Sequence, residues 1–181
     1  MSCPDCTTGG LLPGKPTGTL STQGAYLASG PSPGRAIILL TDGFGLPLKN
    51  SKILADDLAK ELQCDVWVPD YFQGKLAMLP FERAYLHTKH LVFVGRPLLD
   101  VNALLLPDRA GVKIPALRVQ AEGVFSECKG TSSFLEYEFK DYKGTAHGFA
   151  ARPNLEIPEV KEAFERAFQQ TVDWFAKTLP V

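Results

Sequence analysis

An α/β fold is what this chain predicts, and three observations carry it. A continuous apolar run of strand length, Ala36-Ile37-Ile38-Leu39-Leu40, suits a strand buried on both faces of a parallel sheet. After it, Ile53, Leu54, Leu58 and Leu62 recur at helical spacing. A second short apolar strand within 65–69, Val66-Trp67-Val68, completes a strand–helix–strand unit of the kind that builds parallel sheets.

The elements follow in order. Residues 1–17 are rich in Gly, Pro and Thr and read as an irregular, mobile arm. Leu20–Ala28 reads as one short strand, and Gly30-Pro31-Ser32-Pro33-Gly34 as turn punctuation before the strand at 35–41. Asn50 or Ser51 is the expected cap of the following helix. Residues 75–113 show no clear pattern beyond Leu91-Val92-Phe93-Val94 and a fragment at Leu104-Leu105-Leu106, and Pro97 and Pro107 interrupt them. Ile114–Ala121 and Phe134–Tyr142 read as strands. From Pro158 onward, Val160, Phe164, Phe168, Val172, Phe175 and Leu179 form one apolar stripe, and the proline suits the first turn of a helix. A stripe of phenylalanines at this spacing is core packing, not a ligand box.

Bulk composition excludes several classes. The chain has 181 residues, 45% hydrophobic and 22% charged, with a formal net charge of -1. That is ordinary globular composition, sufficient for a single domain over 1–181 with its own core. Mixed charges near neutrality offer no electrostatic case for nucleic acid or an anionic membrane as partner. No stretch approaches a membrane span and 1–10 is no signal sequence, so the expected address is the cytoplasm. Four cysteines, Cys3, Cys6, Cys64 and Cys128, are too few and scattered for a disulfide framework.

His147, in Gly144-Thr145-Ala146-His147-Gly148-Phe149, is the candidate for chemistry. It sits on an expected loop between an apolar stretch and the last helix, a placement that suits the general base of a hydrolase triad. A lone histidine is more often a surface or satisfied core residue, and it is the company of His147 that counts. Thr41-Asp42-Gly43-Phe44-Gly45-Leu46 follows one buried strand. Val68-Pro69-Asp70-Tyr71-Phe72-Gln73-Gly74 follows the next, and Gly144–Phe149 precedes the final helix. Together these resemble the dienelactone hydrolases, α/β-hydrolases with a Cys-His-Asp triad that open lactones and related esters. Cys3-Pro4-Asp5-Cys6 and the tail through Leu179 look like the fungal branch. The resemblance covers about residues 1–75 and 114–181.

The resemblance implies an abbreviated α/β-hydrolase-like, mostly parallel sheet flanked by helices, no cofactor, and a small ester or lactone as substrate. It implies His147 as catalytic base. Asp42, Gly43, Phe44 and Gly45 match the site loop, with the Gly43 N–H as oxyanion donor and Asp42 in place of an acidic residue near the nucleophile. Arg152 matches an arginine that meets a substrate carboxylate. In such sheets, ligands bind at the carboxyl edge, where these loops are expected.

Two triad members depart from the pattern. The nucleophile elbow reads G-x-[SC]-x-G, and the one formal match is Gly30–Gly34. Pro33 has no N–H to complete an oxyanion hole, and the run precedes a strand rather than opening a helix, so Ser32 reads as a turn residue. Residues 75–113 are too few for the missing elbow, strand and helices. Where the family places its acid, after 114–121, the run is Ala121-Glu122-Gly123, and Glu122 is expected to point to the wrong side of the strand end.

Other candidates are weaker. Cys3 and Cys6 have zinc-knuckle spacing without a second ligand pair. Cys128 beside Lys129 reads as a bystander, and His87 and His90 have no neighbours at ligand spacing; no metal site is expected.

Two readings therefore stand side by side. One is an ester or lactone hydrolase, inactive or impaired because its elbow is absent. The other is a non-catalytic pseudoenzyme or interaction protein, or the product of a shortened transcript or gene model. A sheet that has lost central elements exposes apolar faces unless 75–113 or a second chain covers them. Low stability or self-association is the expected consequence. Analytical ultracentrifugation of the purified chain checks it, and a monomer with sharp cooperative melting would contradict it.

Overall fold

A computed structural model of the chain describes residues 9–42, 44–70, 72–74, 91–95, 101–105, 123, 126–127, 129–130, 138, 140–146 and 148–179, with 91–95 and 101–105 described by their backbone. Strands β1 (Thr19–Leu20), β2 (Tyr26–Ala28) and β3 (Ser32–Leu39) come first. Helix α1 (Lys49–Leu62) and β4 (Cys64–Val68) follow, then β5 (Leu91–Gly95) and β6 (Val101–Leu105). Helix α2 (Pro158–Thr178) ends the described chain. The strands form one sheet in the order β1-β2-β4-β3-β5-β6.

β3, α1 and β4 are the strand–helix–strand unit that the apolar pattern announces, and β3 pairs with β4 in parallel. The other described pairings, β1–β2, β2–β4, β3–β5 and β5–β6, are antiparallel. The mostly parallel character expected from sequence is thus met at β3–β4 alone among the described pairings, and the sheet is mixed. The physical reason is connection length: strands joined by a few residues, as in β1–β2 and β5–β6, return beside themselves antiparallel, whereas a parallel pair needs a crossover such as α1.

Alternation places the core. Ile37 and Leu39 of β3, Cys64, Val66 and Val68 of β4, and Tyr26 and Ala28 of β2 are buried. They form one cluster with Ala55, Leu58, Ala59 and Leu62 of α1 and with Val172, Trp174 and Phe175 of α2. The opposite face starts from the intervening residues. There Leu27 stands opposite Trp67, and Trp67 opposite Ile38, which is 43% exposed. This row of apolar side chains across three strands is the kind of face that the abbreviated sheet was expected to leave open.

Several local expectations are corrected. The single strand expected over 20–28 is two short strands joined by a turn in which Ser21 N–H donates to the Ala25 carbonyl at 2.7 Å. Ser32 is not a turn residue but the first residue of β3, and its N–H donates to the Gln63 carbonyl at 3.1 Å. A register shift between Ser32 and Ala36 absorbs the Pro-Gly pair as a bulge. The expected strand at 114–121 lies outside the described residues, as does most of 134–142. Of the latter, Glu138 and Lys140 to Tyr142 carry no strand. The last helix begins at Pro158 as expected, and its stripe holds: Val160, Val172, Phe175 and Leu179 are buried, Phe164 and Phe168 half-buried.

Neither Asn50 nor Ser51 caps α1. Leu48 occupies the cap position without a side-chain bond, and both polar residues lie buried inside the first turn. Asn50 is diverted to tertiary bonds. Its Oδ1 accepts from Leu12 N–H at 3.0 Å, and its Nδ2 donates to the carbonyls of Gly10 and Ala151, each at 2.9 Å. Further along α1, Asp56 accepts from the N–H groups of Thr17 at 2.6 Å and Gly18 at 3.3 Å, and from the Tyr26 hydroxyl at 2.6 Å. The arm is irregular as expected, but from residue 9 it is sewn along α1 rather than loose, with Leu12 buried beneath it.

Arg35 ties the two helices together. Its guanidinium donates to the carbonyl of Leu62, at the end of α1, and of Leu179, at the end of α2, both at 2.8 Å. A cation placed on the last carbonyls of a helix satisfies orphan acceptors and meets the negative end of the dipole.

Burial, and then the bond donated to Asp56, push the Tyr26 phenol up from 10.0 to about 12. The folded chain therefore holds this proton more tightly than the unfolded one. The stability it lends is complete below pH 10 and is lost as pH rises through about 12. Thermal melts between these values are expected to show a falling Tm, with a flatter alkaline limb in Tyr26→Phe.

Candidate functional site

β3 and β4 run in parallel, so the loops after them, 40–48 and 69–74, open on the same carboxyl edge of the sheet. Asp42 lies at the head of the first loop, only 8% exposed, beside buried Thr41. Its carboxylate organises the turn. Oδ1 accepts from the Phe44 N–H at 3.0 Å, and the Asp42 carbonyl accepts from the Gly45 N–H, also at 3.0 Å. An aspartate that bonds its own backbone two residues on is a standard turn device. It also commits two of the loop's N–H groups, leaving the oxyanion role that the resemblance assigns to Gly43 without help from Phe44 or Gly45. Gly43 itself lies outside the described residues.

The second half of the site comes from the segment before α2. Thr145 Oγ1 donates to the Tyr142 carbonyl at 2.6 Å, and the N–H groups of Ala151 and Arg152 both donate to the Gly148 carbonyl, at 3.0 and 2.7 Å. Phe149 pins this turn to α2. It is buried against Val160, Ala163 and Ala167, with the Tyr142 ring 5.6 Å away in a tilted stack. His147, the expected base, lies outside the described residues, between Ala146 and Gly148, which both belong to this turn.

Arg152 joins the two halves. Its Nε donates to Asp42 Oδ2 at 2.9 Å, across 110 residues of sequence, with side-chain exposures of 6% and 12%. Its guanidinium carbon stands 4.3 Å from the centroid of the Phe44 ring, a cation–π contact. Three residues named from sequence for separate roles, Asp42, Phe44 and Arg152, are thus one cluster, with Asp42 and Arg152 buried and Phe44 half-buried. The carboxylate that Arg152 meets here is that of Asp42.

The backbone around Arg152 is built for close approach. Gly148 has φ +86°, and a Cβ on it would stand 2.8 Å from an Arg152 guanidinium nitrogen. Gly9 has φ +141°, and its Cβ would meet the Arg152 Cβ and carbonyl oxygen at 2.7 Å. Only glycine fits both the conformations and the space. Gly10 N–H donates to the Arg152 carbonyl at 3.1 Å, and Asn50 holds the adjoining Ala151 carbonyl. The arm and Asn50 were not site candidates from sequence. An asparagine in a first helical turn reads as a cap, and no spacing betrays partners 38, 40 and 101 residues away.

Among the alternative thiols, Cys64 is free and wholly buried in β4, where burial pushes its thiol up. An activated nucleophile needs the opposite environment, so Cys64 is no substitute for an elbow cysteine. Cys3, Cys6, Cys128, His87, His90 and Glu122 lie outside the described residues. Among the described residues, no group of three potential ligands stands ready for a metal, and no helix is long and apolar enough to cross a membrane.

Removing one partner of a buried ion pair strands the other. Asp42→Ala is expected to cost about 3–5 kcal/mol in urea unfolding, and Asp42→Ala with Arg152→Met to cost less than the single change. With Arg152→Met also measured alone, a double loss equal to the sum of the two single losses would mean that the pair is not coupled.

A family model described as the dienelactone hydrolase family matches residues 127–179. The matched segment carries the 144–152 turn, Arg152 and α2. No curated protein and no solved structure matches the chain.

Proposed function

We propose, from the membership of residues 127–179 in the dienelactone hydrolase family, that the chain carries the binding side of an ester or lactone site and is inactive or impaired as a catalyst. The observation behind this reading is the Asp42–Arg152–Phe44 cluster at the carboxyl edge, closed by the turn from Gly148 to Arg152. A small anionic ester or lactone would reach Arg152 by competing with Asp42 for the guanidinium. His147 would be the base, and the Gly43 N–H the oxyanion donor.

The missing part is a nucleophile. No Ser or Cys is flanked by glycine at both elbow positions except Ser32, which opens a strand. The second oxyanion donor belongs to the elbow and goes with it. On this reading the abbreviated α/β-hydrolase fold is one domain over 1–181, of the fungal type, needs no cofactor, and works in the cytoplasm. Ile38, Trp67 and Leu27 give its sheet a face on which copies associate.

The absent elbow also favours a second reading, in which the chain is a pseudoenzyme, an interaction protein or a shortened product of an active gene. An in-frame G-x-C-x-G segment in the genomic sequence between the codons for Gly74 and Ile114 would identify the shortened product.

Activity is the direct test. The purified chain is expected to show no burst and negligible turnover with p-nitrophenyl acetate or dienelactone, and His147→Ala is expected to change nothing. Burst kinetics that vanish in His147→Ala would overturn the impairment, and mass spectrometry of the trapped adduct would name the nucleophile.

A further inference from the structure

The stretch from Gly9 to Gly18 is attached differently at its two ends. Of these residues only Leu12 is buried, and it lies outside the main apolar cluster. At one end, the N–H groups of Thr17 and Gly18 donate to the Asp56 carboxylate, and Gly18 N–H also donates to the Tyr26 hydroxyl at 2.6 Å. Tyr26 belongs to β2, so this end is fixed to the sheet. At the other end every bond is neutral. Gly10 N–H donates to the Arg152 carbonyl, the Gly10 carbonyl accepts from Asn50 Nδ2, and Leu12 N–H donates to Asn50 Oδ1. Hydrogen bonds to an ionised group are roughly twice as strong as neutral ones, so the end at residues 9–12 is the weaker.

Gly14 separates the two ends. Its φ is +90°, and a Cβ built on it would meet nothing within 4 Å. Backbone in open space, with no side chain to obstruct rotation, is where a segment can pivot. Pro13 and Pro16 fix φ at their own positions and concentrate that freedom at Gly14 and Lys15. Lys49 Nζ donates to the Gly14 carbonyl at 3.1 Å, a bond exposed to competing water. What the weaker end covers is Arg152. A Cβ on Gly9 would stand 2.7 Å from the Arg152 Cβ and 3.0 Å from a guanidinium nitrogen, so Gly9 lies along that side chain. Gly10 leaves no room for a Cβ against the Pro153 carbonyl.

We propose that residues 9–12 form a lid over Arg152 that pivots at Gly14, with Leu12 as its plug and the Asn50 carboxamide as its latch, and that it opens while Thr17, Gly18 and the core stay in place. Segments with few buried apolar contacts unfold locally ahead of the core. Here one leucine and three neutral hydrogen bonds have to let go. Lifting uncovers the Arg152 side chain where Gly9 lies and leaves its bond to Asp42 intact. What an anion does at the uncovered guanidinium rests on the function proposed above; the lifting itself does not, and it is read without a ligand.

Native-state hydrogen exchange of the full-length chain reads four amides of the arm directly. Those of Gly10 and Leu12 are expected to exchange through one shared opening, those of Thr17 and Gly18 through a costlier one, and those of β4, paired on both sides, last. Leu12→Ala removes the plug without touching the main cluster. It is expected to speed exchange at positions 10 and 12 by about tenfold or more, and to leave Thr17, Gly18 and β4 unchanged. Labelling of Arg152 by the arginine reagent phenylglyoxal, followed by mass spectrometry, is expected to quicken by the same factor in Leu12→Ala, while that of Arg35 stays constant. Exchange of Gly10 and Leu12 no earlier than β4 would overturn the proposal. So would a Leu12→Ala effect that spreads equally to Thr17 and Gly18, or unchanged labelling of Arg152.

Discussion

The ion pair between Asp42 and Arg152 is the constraint around which the described structure is arranged. Two charges taken out of water together are tolerated only where geometry is good and their remaining hydrogen-bonding capacity is met. The chain meets those terms from four directions. The Phe44 N–H holds one Asp42 oxygen, the Phe44 ring covers the guanidinium, and Gly148 and Gly9 let backbone approach where any side chain would collide. Gly10 then binds the Arg152 carbonyl. Each is a local oddity alone, and each follows once a buried arginine must be housed at this point.

Asn50 extends that arrangement into the fold. It links the arm, the first turn of α1 and the turn before α2 through three hydrogen bonds. A side chain with two donors and an acceptor, buried in a helix, gains more from such partners than from capping a solvent-exposed helix end. The same economy recurs at Arg35, which closes the far ends of both helices with one guanidinium. Between these polar knots lies an apolar layer of strands and helices, whose burial supplies the main driving force. The polar knots set which geometry that collapse adopts.

The two sides of the sheet have different consequences. The side bearing α1 and α2 has the native-like core, and the Arg152 cluster sits at its edge. The other side begins with Leu27, Trp67 and Ile38 in register, and Ile38 is partly open to water although it belongs to an internal strand. A strand apolar on both faces is a sequence written for a sheet covered on both sides. For function, the division matters because, among the described residues, the candidate site is anchored from the covered side: Phe149 holds its turn on α2, and Asn50 holds it on α1.

What the sequence determined by itself is what short-range periodicity encodes. The helical stripe from Val160 to Leu179, the βαβ unit from β3 to β4, and the Pro158 start of α2 were legible because burial of a helix face or strand face repeats at fixed spacing. Asp42, Phe44 and Arg152 were legible as candidates because their short motifs resemble a known family, each considered alone. Only the tertiary structure decided that they are one cluster, that Ser32 opens a strand, that the arm is strapped down, and that Asn50 is a junction rather than a cap. These depend on contacts between residues dozens of positions apart, and a partner's chemistry, unlike a period, leaves no mark on the neighbouring sequence. Strand direction belongs with them: an apolar run states that a strand is buried, while the length and course of the connections decide whether its neighbour runs parallel or antiparallel.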